Sequence, residues 1–165
     1  MKIIEYSEKY REDFVRFNMD WIMDYFGFLE EEDYRTFDHI EKTLEEGAMI
    51  YFAVENGTAL ATCMAKPLDG AGTWELCKLA SNKHVPHRGA GSAVFEAAMK
   101  WAIVHGAKKL FILSNRKLKA ALHIYEKNGF QEVKPEDYEY VRGDIAFEYN
   151  VPQNVNLHCR PQRAL

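Results

Sequence analysis

The sequence predicts a mixed α/β fold in which antiparallel strands lead into a single β-α-β crossover. Three observations predict it. Two early segments carry apolar residues at the three- and four-residue spacing of an amphipathic helix. From Met49 to Ala80 the apolar residues fall instead into short runs separated by Gly-containing turns, as strands do. Beyond Gly91 a long apolar helix leads to Leu110-Phe111-Ile112-Leu113, an unalternating run typical of a central strand covered on both faces.

In chain order, Lys2 to Tyr6 is a short first strand. Phe14, Phe17, Trp21, Ile22 and Tyr25 share one face of a helix over Tyr10 to Tyr25, stopping near Gly27, where a left-handed residue meets no steric penalty. Tyr34, Phe37, Ile40 and Leu44 repeat that spacing and predict a second helix over Glu30 to Leu44, its acidic start suited to a helix N-terminus. Met49 to Val54 and Thr58 to Lys66 are strands joined by Glu55-Asn56-Gly57, a strong hairpin signal. Asp69-Gly70-Ala71-Gly72 turns into the next strand of this meander, Thr73 to Ala80. Gly91 to His105 is helical, with only Ser92, Glu96 and Lys100 in one strongly polar row, so it is expected to lie packed between elements. Strand Lys108 to Ser114, helix Leu118 to Lys127 and a late hairpin of Phe130 to Lys134 with Ile145 to Tyr149 complete one domain over residues 1–150. Residues 151–165 are a polar C-terminal tail.

At 165 residues, 47% apolar and 28% charged, the chain has ample material for one core. Its net charge of −4 argues against a partner built on phosphate backbones, so no nucleic acid is expected. Apolar runs fall far short of the roughly 18 residues of a bilayer span, and the start turns polar too soon for a secretory signal. No membrane association and a cytoplasmic location are therefore expected. Cys63, Cys77 and Cys159 are odd in number and irregularly spaced, which fits free thiols better than a disulfide framework or a zinc ribbon.

The most informative segment is Arg88-Gly89-Ala90-Gly91-Ser92-Ala93, between a strand and a long helix. Its glycines leave the helix mouth uncovered, and the unpaired N–H groups there suit a phosphate, as does the Arg88 fork. A plain Gly-rich connector is the alternative. A dinucleotide fingerprint fails, because its third glycine is Val94, and the G-K-[ST] of a P-loop is absent. Arg88, Gly91 and Ala93 do match R/Q-x-x-G-x-G/A, and Ala121 to Phe130 reads A-x-x-x-Y-E-K-x-G-F. With Trp74 to Ala80, these segments resemble the GNAT superfamily of N-acetyltransferases, in the right order over Ile3 to Tyr149.

The resemblance implies a mixed, mostly antiparallel twisted sheet with a central β-α-β unit that binds acetyl-CoA, and helices on both faces. It implies transfer of acetyl from acetyl-CoA to a primary amine by direct attack, through a tetrahedral intermediate. Arg88, Gly89, Ala90, Gly91, Ser92 and Ala93 would hold the pyrophosphate. The fourth and fifth strands would splay at a bulge, where the backbone of Leu79, Ala80 and Ser81 pairs with the pantetheine arm. A backbone N–H, placed at Leu79, would meet the thioester oxygen.

Tyr125 matches the general acid that protonates the departing thiolate, a phenol near 10 facing a thiol near 8.5; the alternative is an aromatic packed beside Phe130. Glu75 matches a base for the attacking ammonium; the alternative is a structural ion pair with Lys66 or Lys78. The family's Asn seven residues before the tyrosine is Leu118 here, so Asn115 is expected to take over the pantetheine contact. The stretch Asn82 to His87 is longer than usual. His84 and His87 flank Pro86 without a clear third ligand, and no metal is expected.

The acceptor pocket would be lined by Tyr25, Phe26, Phe28, Glu30, Glu31 and Tyr34, with Tyr138 or Tyr140. Aromatic walls with carboxylates suit a cationic amine; the same residues also describe an amphipathic helix with a solvated acidic start. Three classes stay open: a transferase acting on a small amine, an acyl-CoA-binding sensor without turnover, and an enzyme modifying protein lysines or N-termini. Dimerisation is common in the family, so a homodimer is allowed.

Overall fold

The computed structural model describes residues 1–134 and 142–153. Tyr138, Tyr140, Cys159 and the tail from 154 lie outside them. Strand β1 (Lys2–Glu5) and a 3-10 turn (Glu8–Tyr10) precede helix α1 (Arg11–Phe26). Gly27 ends α1 at φ 77°, its N–H donating to the Met23 carbonyl at 3.0 Å. The next segment is two helices, α2 (Glu31–Asp38) and α3 (Ile40–Glu45), where the spacing predicts one. His39 leaves helical geometry at φ −126° and ψ 31°, and Phe37 and Ile40 on either side of it enter the same core.

Strands β2 (Met49–Glu55), β3 (Thr58–Pro67) and β4 (Thr73–Ser81) form the meander. Helix α4 (Ala90–Val104), strand β5 (Lys109–Ser114), helix α5 (Lys119–Lys127), and strands β6 (Gln131–Val133) and β7 (Ile145–Asn150) follow. The sheet order is β1-β2-β3-β4-β5-β7-β6, antiparallel throughout except for β4 beside β5. That parallel pair is the predicted crossover, with α4 as its helix. The late hairpin also forms, but β7 is inserted between β5 and β6 and pairs with both.

Neighbouring strand residues point to opposite faces, so Phe52 and Ala53 enter different cores. One core gathers Phe95, Leu110, Ile112, Phe130 and Phe147 under α4 and α5; the other gathers Phe14, Phe17, Phe37, Ile50 and Met64 under the early helices. Helix α4 differs from expectation. It lies on one face of the sheet, with Val94, Phe95, Ala98 and Ala102 buried and Glu96, Lys100 and Val104 exposed. Its alanines permit close approach to the strands, and much of its remaining apolar surface is only half covered. Strand β5 is likewise covered unequally: Leu110, Ile112 and Ser114 are buried, Phe111 and Leu113 partly so. No helix among the described residues is long and apolar enough to cross a membrane.

The feature that positions the site is where β4 and β5 part. They pair only from Thr73–Lys109 to Glu75–Phe111, although β4 continues to Ser81 and β5 to Ser114. On the other side of β4, Met64 faces Cys77 but Thr62 faces Ala80, so β4 carries one extra residue. Lys78 takes up the bulge at φ 53°, a left-handed value unusual for a non-glycine residue.

Candidate active site

The parted strands border an open cleft with about 640 Å³ of empty space, solvent at its mouth included. Strand β4 contributes Glu75, Cys77, Lys78 and Leu79; the end of β5 contributes Ser114 and Asn115. Tyr125 enters from α5, Trp21 and Phe26 from α1, and Arg142 and Gly143 from the segment before β7. Sequence positions far apart therefore converge because a bulge frees one edge of β4.

Tyr125 is buried, its ring packed 5.4 Å from Phe95 and 5.5 Å from Phe147, centroid to centroid. Burial pushes its phenol well above the ordinary tyrosine range; the Cys63 thiol adds to this, and the Ser114 hydroxyl opposes it. Packing and access to the cleft are thus both present, and the aromatic contacts hold the ring in place. Glu75 is buried too, and Lys66 Nζ lies 3.1 Å from its Oε2. The ion-pair alternative is present in the structure together with a place on the cleft wall. Cys63 and Cys77 are free thiols. Burial pushes the Cys63 thiol well up, which suits an unreactive core residue.

The loop before α4 is exposed from Lys83 to Gly89, while Asn82 beneath it is buried and donates from Nδ2 to the Ala59 carbonyl at 3.0 Å. Gly89 caps the helix at φ 88°, and its carbonyl accepts the Ala93 N–H at 3.0 Å. The N–H groups of Gly91 and Ser92 lie in the first turn, ahead of any partner one turn back inside the helix. A Cβ on Gly91 would stand 3.7 Å from Ser81 Oγ, so the helix mouth sits against the free end of β4. Residues at the end of β4 and the start of α4 are thus neighbours in space.

A family model described as Acetyltransferase (GNAT) family matches residues 15–130. The chain belongs to the GNAT family. Solved structures agree in fold. A GNAT-family acetyltransferase from Staphylococcus aureus Mu50 superimposes with a TM-score of 0.79 at 20% identity, over 90% of this chain and 98% of that one. PaiA N-acetyltransferase from Thermoplasma acidophilum, in complex with coenzyme A, gives 0.69 at 18% identity over 92% and 100%. The yncA protein of Salmonella typhimurium, with its cofactor acetyl-CoA, gives 0.74 at 12% identity over 99% of each. No curated protein matches the chain.

Other expected site residues of this GNAT chain fall in different places. Asn115 reaches the cleft but is engaged locally: Nδ2 donates to the Arg142 carbonyl, and Oδ1 accepts the Lys117 N–H at 2.9 Å. It ties the end of β5 to the segment before β7. Of the acceptor residues, Phe26 lines the cleft. Tyr25, Phe28 and Tyr34 are about half exposed, at 50%, 52% and 53%, and Glu31 is exposed and paired with Arg35. These four are not in the cleft wall: Tyr25 lies on α1, Phe28 in the connection after it, and Glu31 and Tyr34 on α2.

Sequence reasoning missed a buried charge cluster beside the cleft. Asp33 is fully buried and accepts from Arg142 Nη1 at 2.7 Å, Arg142 Nη2 at 2.6 Å and Lys78 Nζ at 3.1 Å. Glu30 Oε2 accepts from Arg142 Nη1 at 2.9 Å, while the Glu30 backbone N–H donates to Asp33 in a capping box at the start of α2. Burial would raise the Asp33 carboxyl, but the Arg142 hydrogen bond and the Lys78 charge outweigh it and hold the group below its usual range. Two signals were available: Glu30-Glu31-Glu32-Asp33 has capping-box spacing, and Lys78 interrupts an otherwise apolar strand end.

Proposed function

We propose that the protein is an acetyl-CoA-dependent N-acetyltransferase acting on a primary amine. The observation that carries this reading is the juxtaposition of Tyr125 and Glu75 in one cleft, where β4 departs from β5 at a bulge. Acetyl-CoA supplies an acetyl group activated as a thioester. The chain's own features fit that ligand. The start of α4 offers N–H donors and a positive dipole end to a diphosphate, with Arg88 beside it. The unpaired edge from Leu79 to Ser81 offers backbone groups to the pantetheine arm. A fixed N–H at Leu79 supports the oxygen that gains charge, without reorganising.

Glu75 takes the proton that the attacking ammonium must lose, directly or through water. A carbon–nitrogen bond forms, the carbon–sulfur bond breaks, and the departing sulfur gains a proton. Tyr125 supplies that proton or the hydrogen bond that precedes it. Its raised phenol keeps the hydroxyl protonated, but it also widens the gap to a thiol. Tyr125 therefore donates to sulfur as the bond breaks and does not surrender its proton beforehand. A panel of primary amines with acetyl-CoA, read as released thiol, tests the reading. Tight coenzyme A binding with turnover of no amine would replace it with an acyl-CoA-binding module.

A further inference from the structure

Ser114 ends strand β5, and its side chain is the one polar member of a buried row. Alternation along the strand puts Leu110, Ile112 and Ser114 on one face and covers all three. Leu110 and Ile112 belong to the core beneath α4 and α5, in which the Tyr125 ring also sits. Ser114 is only 8% exposed, and its buried hydroxyl oxygen has no hydrogen-bond partner among the described residues. Leaving a buried hydroxyl unpaired is destabilising, so a serine here calls for a reason beyond packing.

The surroundings direct that hydroxyl to one neighbour. Ser114 and Tyr125 line the same cleft. The backbone of Ser114 is fixed: it pairs with Ile145 in β7, and its carbonyl accepts the Asp144 N–H at 3.1 Å. Only the side-chain torsions are left to adjust. Burial and the thiols of Cys63 and Cys77 favour the neutral Tyr125 phenol, whereas the Ser114 hydroxyl favours the charged form.

We propose that Ser114 is a positioning residue for Tyr125, its hydroxyl donating to the phenol oxygen as that oxygen gives its proton to the departing sulfur. The inference rests on the transferase reading above and adds a residue to it. As the carbon–sulfur bond breaks, its electron pair goes to sulfur, which takes the Tyr125 proton. The electron pair of the O–H bond stays on the phenol oxygen, whose ring is enclosed by Phe95 and Phe147. Ser114 keeps its own proton and supports that charge, and water returns a proton to Tyr125 after the products leave. Because the hydroxyl is unpartnered at rest, forming this bond breaks no other.

The test compares Ser114→Ala and Ser114→Thr, each alone and combined with Tyr125→Phe. Ser114→Ala should lower kcat by about tenfold, the scale of one hydrogen bond to a charged group, with the Michaelis constant for acetyl-CoA unchanged. Ser114→Thr should recover most of that loss. On the Tyr125→Phe background Ser114→Ala should cost nothing further, since the two groups act as one unit. The melting temperature of Ser114→Ala should hold or rise, because a buried hydroxyl without a partner is removed. A second readout needs no turnover: with tyrosine isotope-labelled at Cζ and coenzyme A bound, the NMR signal that Tyr125→Phe deletes should shift in Ser114→Ala and move back in Ser114→Thr. Full kcat in Ser114→Ala, an equal loss on both backgrounds, or an unmoved Cζ signal would overturn the inference. Thiol release with no amine, alongside a Cζ signal that shifts, would uphold the Ser114–Tyr125 contact and overturn the transferase reading alone.

Discussion

Asp33 and Arg142 stand 109 residues apart in the chain and meet in a two-pronged ion pair of 2.7 and 2.6 Å. Lys78 joins them from the β4 bulge, so one carboxylate connects the start of α2, the free edge of β4 and the segment entering β7. Asp33→Ala leaves two buried cations without their shared partner, and a loss of about 3–5 kcal/mol is expected. Chemical denaturation of the two proteins measures it.

The same carboxylate sets an acid limit. Its folded-state value is held below the ordinary 3.8, so its stabilising effect is complete above that value and disappears as pH falls through the folded one. Melting temperature should fall steeply on acidification below about pH 4. In Asp33→Asn this acid-dependent component should be missing, leaving a lower but flatter curve.

Tyr125→Phe should lower kcat by about a hundredfold or more, the usual scale of a positioned acid. The Michaelis constant for acetyl-CoA should change little, because the ring and its packing remain. Burial holds the phenol protonated, so the unaltered enzyme should show no loss of kcat from this group near pH 10, where an ordinary tyrosine ionises. Steady-state rates from pH 6 to 10.5 separate these outcomes from a packing role, which would leave turnover intact.

Glu75→Gln keeps the shape of the side chain but removes its charge. If Glu75 is the base, kcat/KM for the amine falls and the acid limb of its pH profile is lost. If the residue only pairs with Lys66, that limb survives and the melting temperature alone moves. Lys66→Met provides the comparison, since it breaks the 3.1 Å pair while leaving the carboxylate in place.

Two glycines at the mouth of α4 should respond differently. Gly89→Ala meets nothing within 4 Å but forces a side chain onto φ +88°, costing about 1–2 kcal/mol of stability. A Cβ on Gly91 makes only ordinary contacts, 3.5 Å from Ile124 Cδ1 and 3.7 Å from Ser81 Oγ. Gly91→Asp should therefore fold, yet bind coenzyme A weakly in titration calorimetry, because its charge opposes a diphosphate.

The elements were legible where local chemistry decides them. Gly27 and the Asn56-Gly57 turn end their elements at the expected points, and the unalternating run 110–113 does lie in an interior strand, β5, between β4 and β7. Reading was poorer where tertiary contacts decide. Nothing local marks His39 as a break, and the apolar circumference of α4 could not show that one sheet face and not two would cover it. In the site, the tyrosine and glutamate were found through motif resemblance. Lys78 was considered only as a partner for Glu75, and the Asp33–Arg142 pair depends on a 109-residue closure that no spacing rule reaches. The aromatic residues Tyr25, Phe28 and Tyr34 were read as pocket lining from the resemblance, which names the elements around a pocket but not which of their side chains turn toward it.

The extra residue in β4 also reverses the parity of that strand. Before it, the even positions Trp74 and Leu76 enter the core beneath α4; after it, Leu79 packs on that core and Ala80 joins the opposite one. Removing a single residue from Lys78-Leu79 would thus do more than shorten an edge. It would restore plain alternation with Ala80 and Ser81 still opposite Thr62 and Ala61, and the donor row facing the cleft would lose the bulge at which it departs from β5.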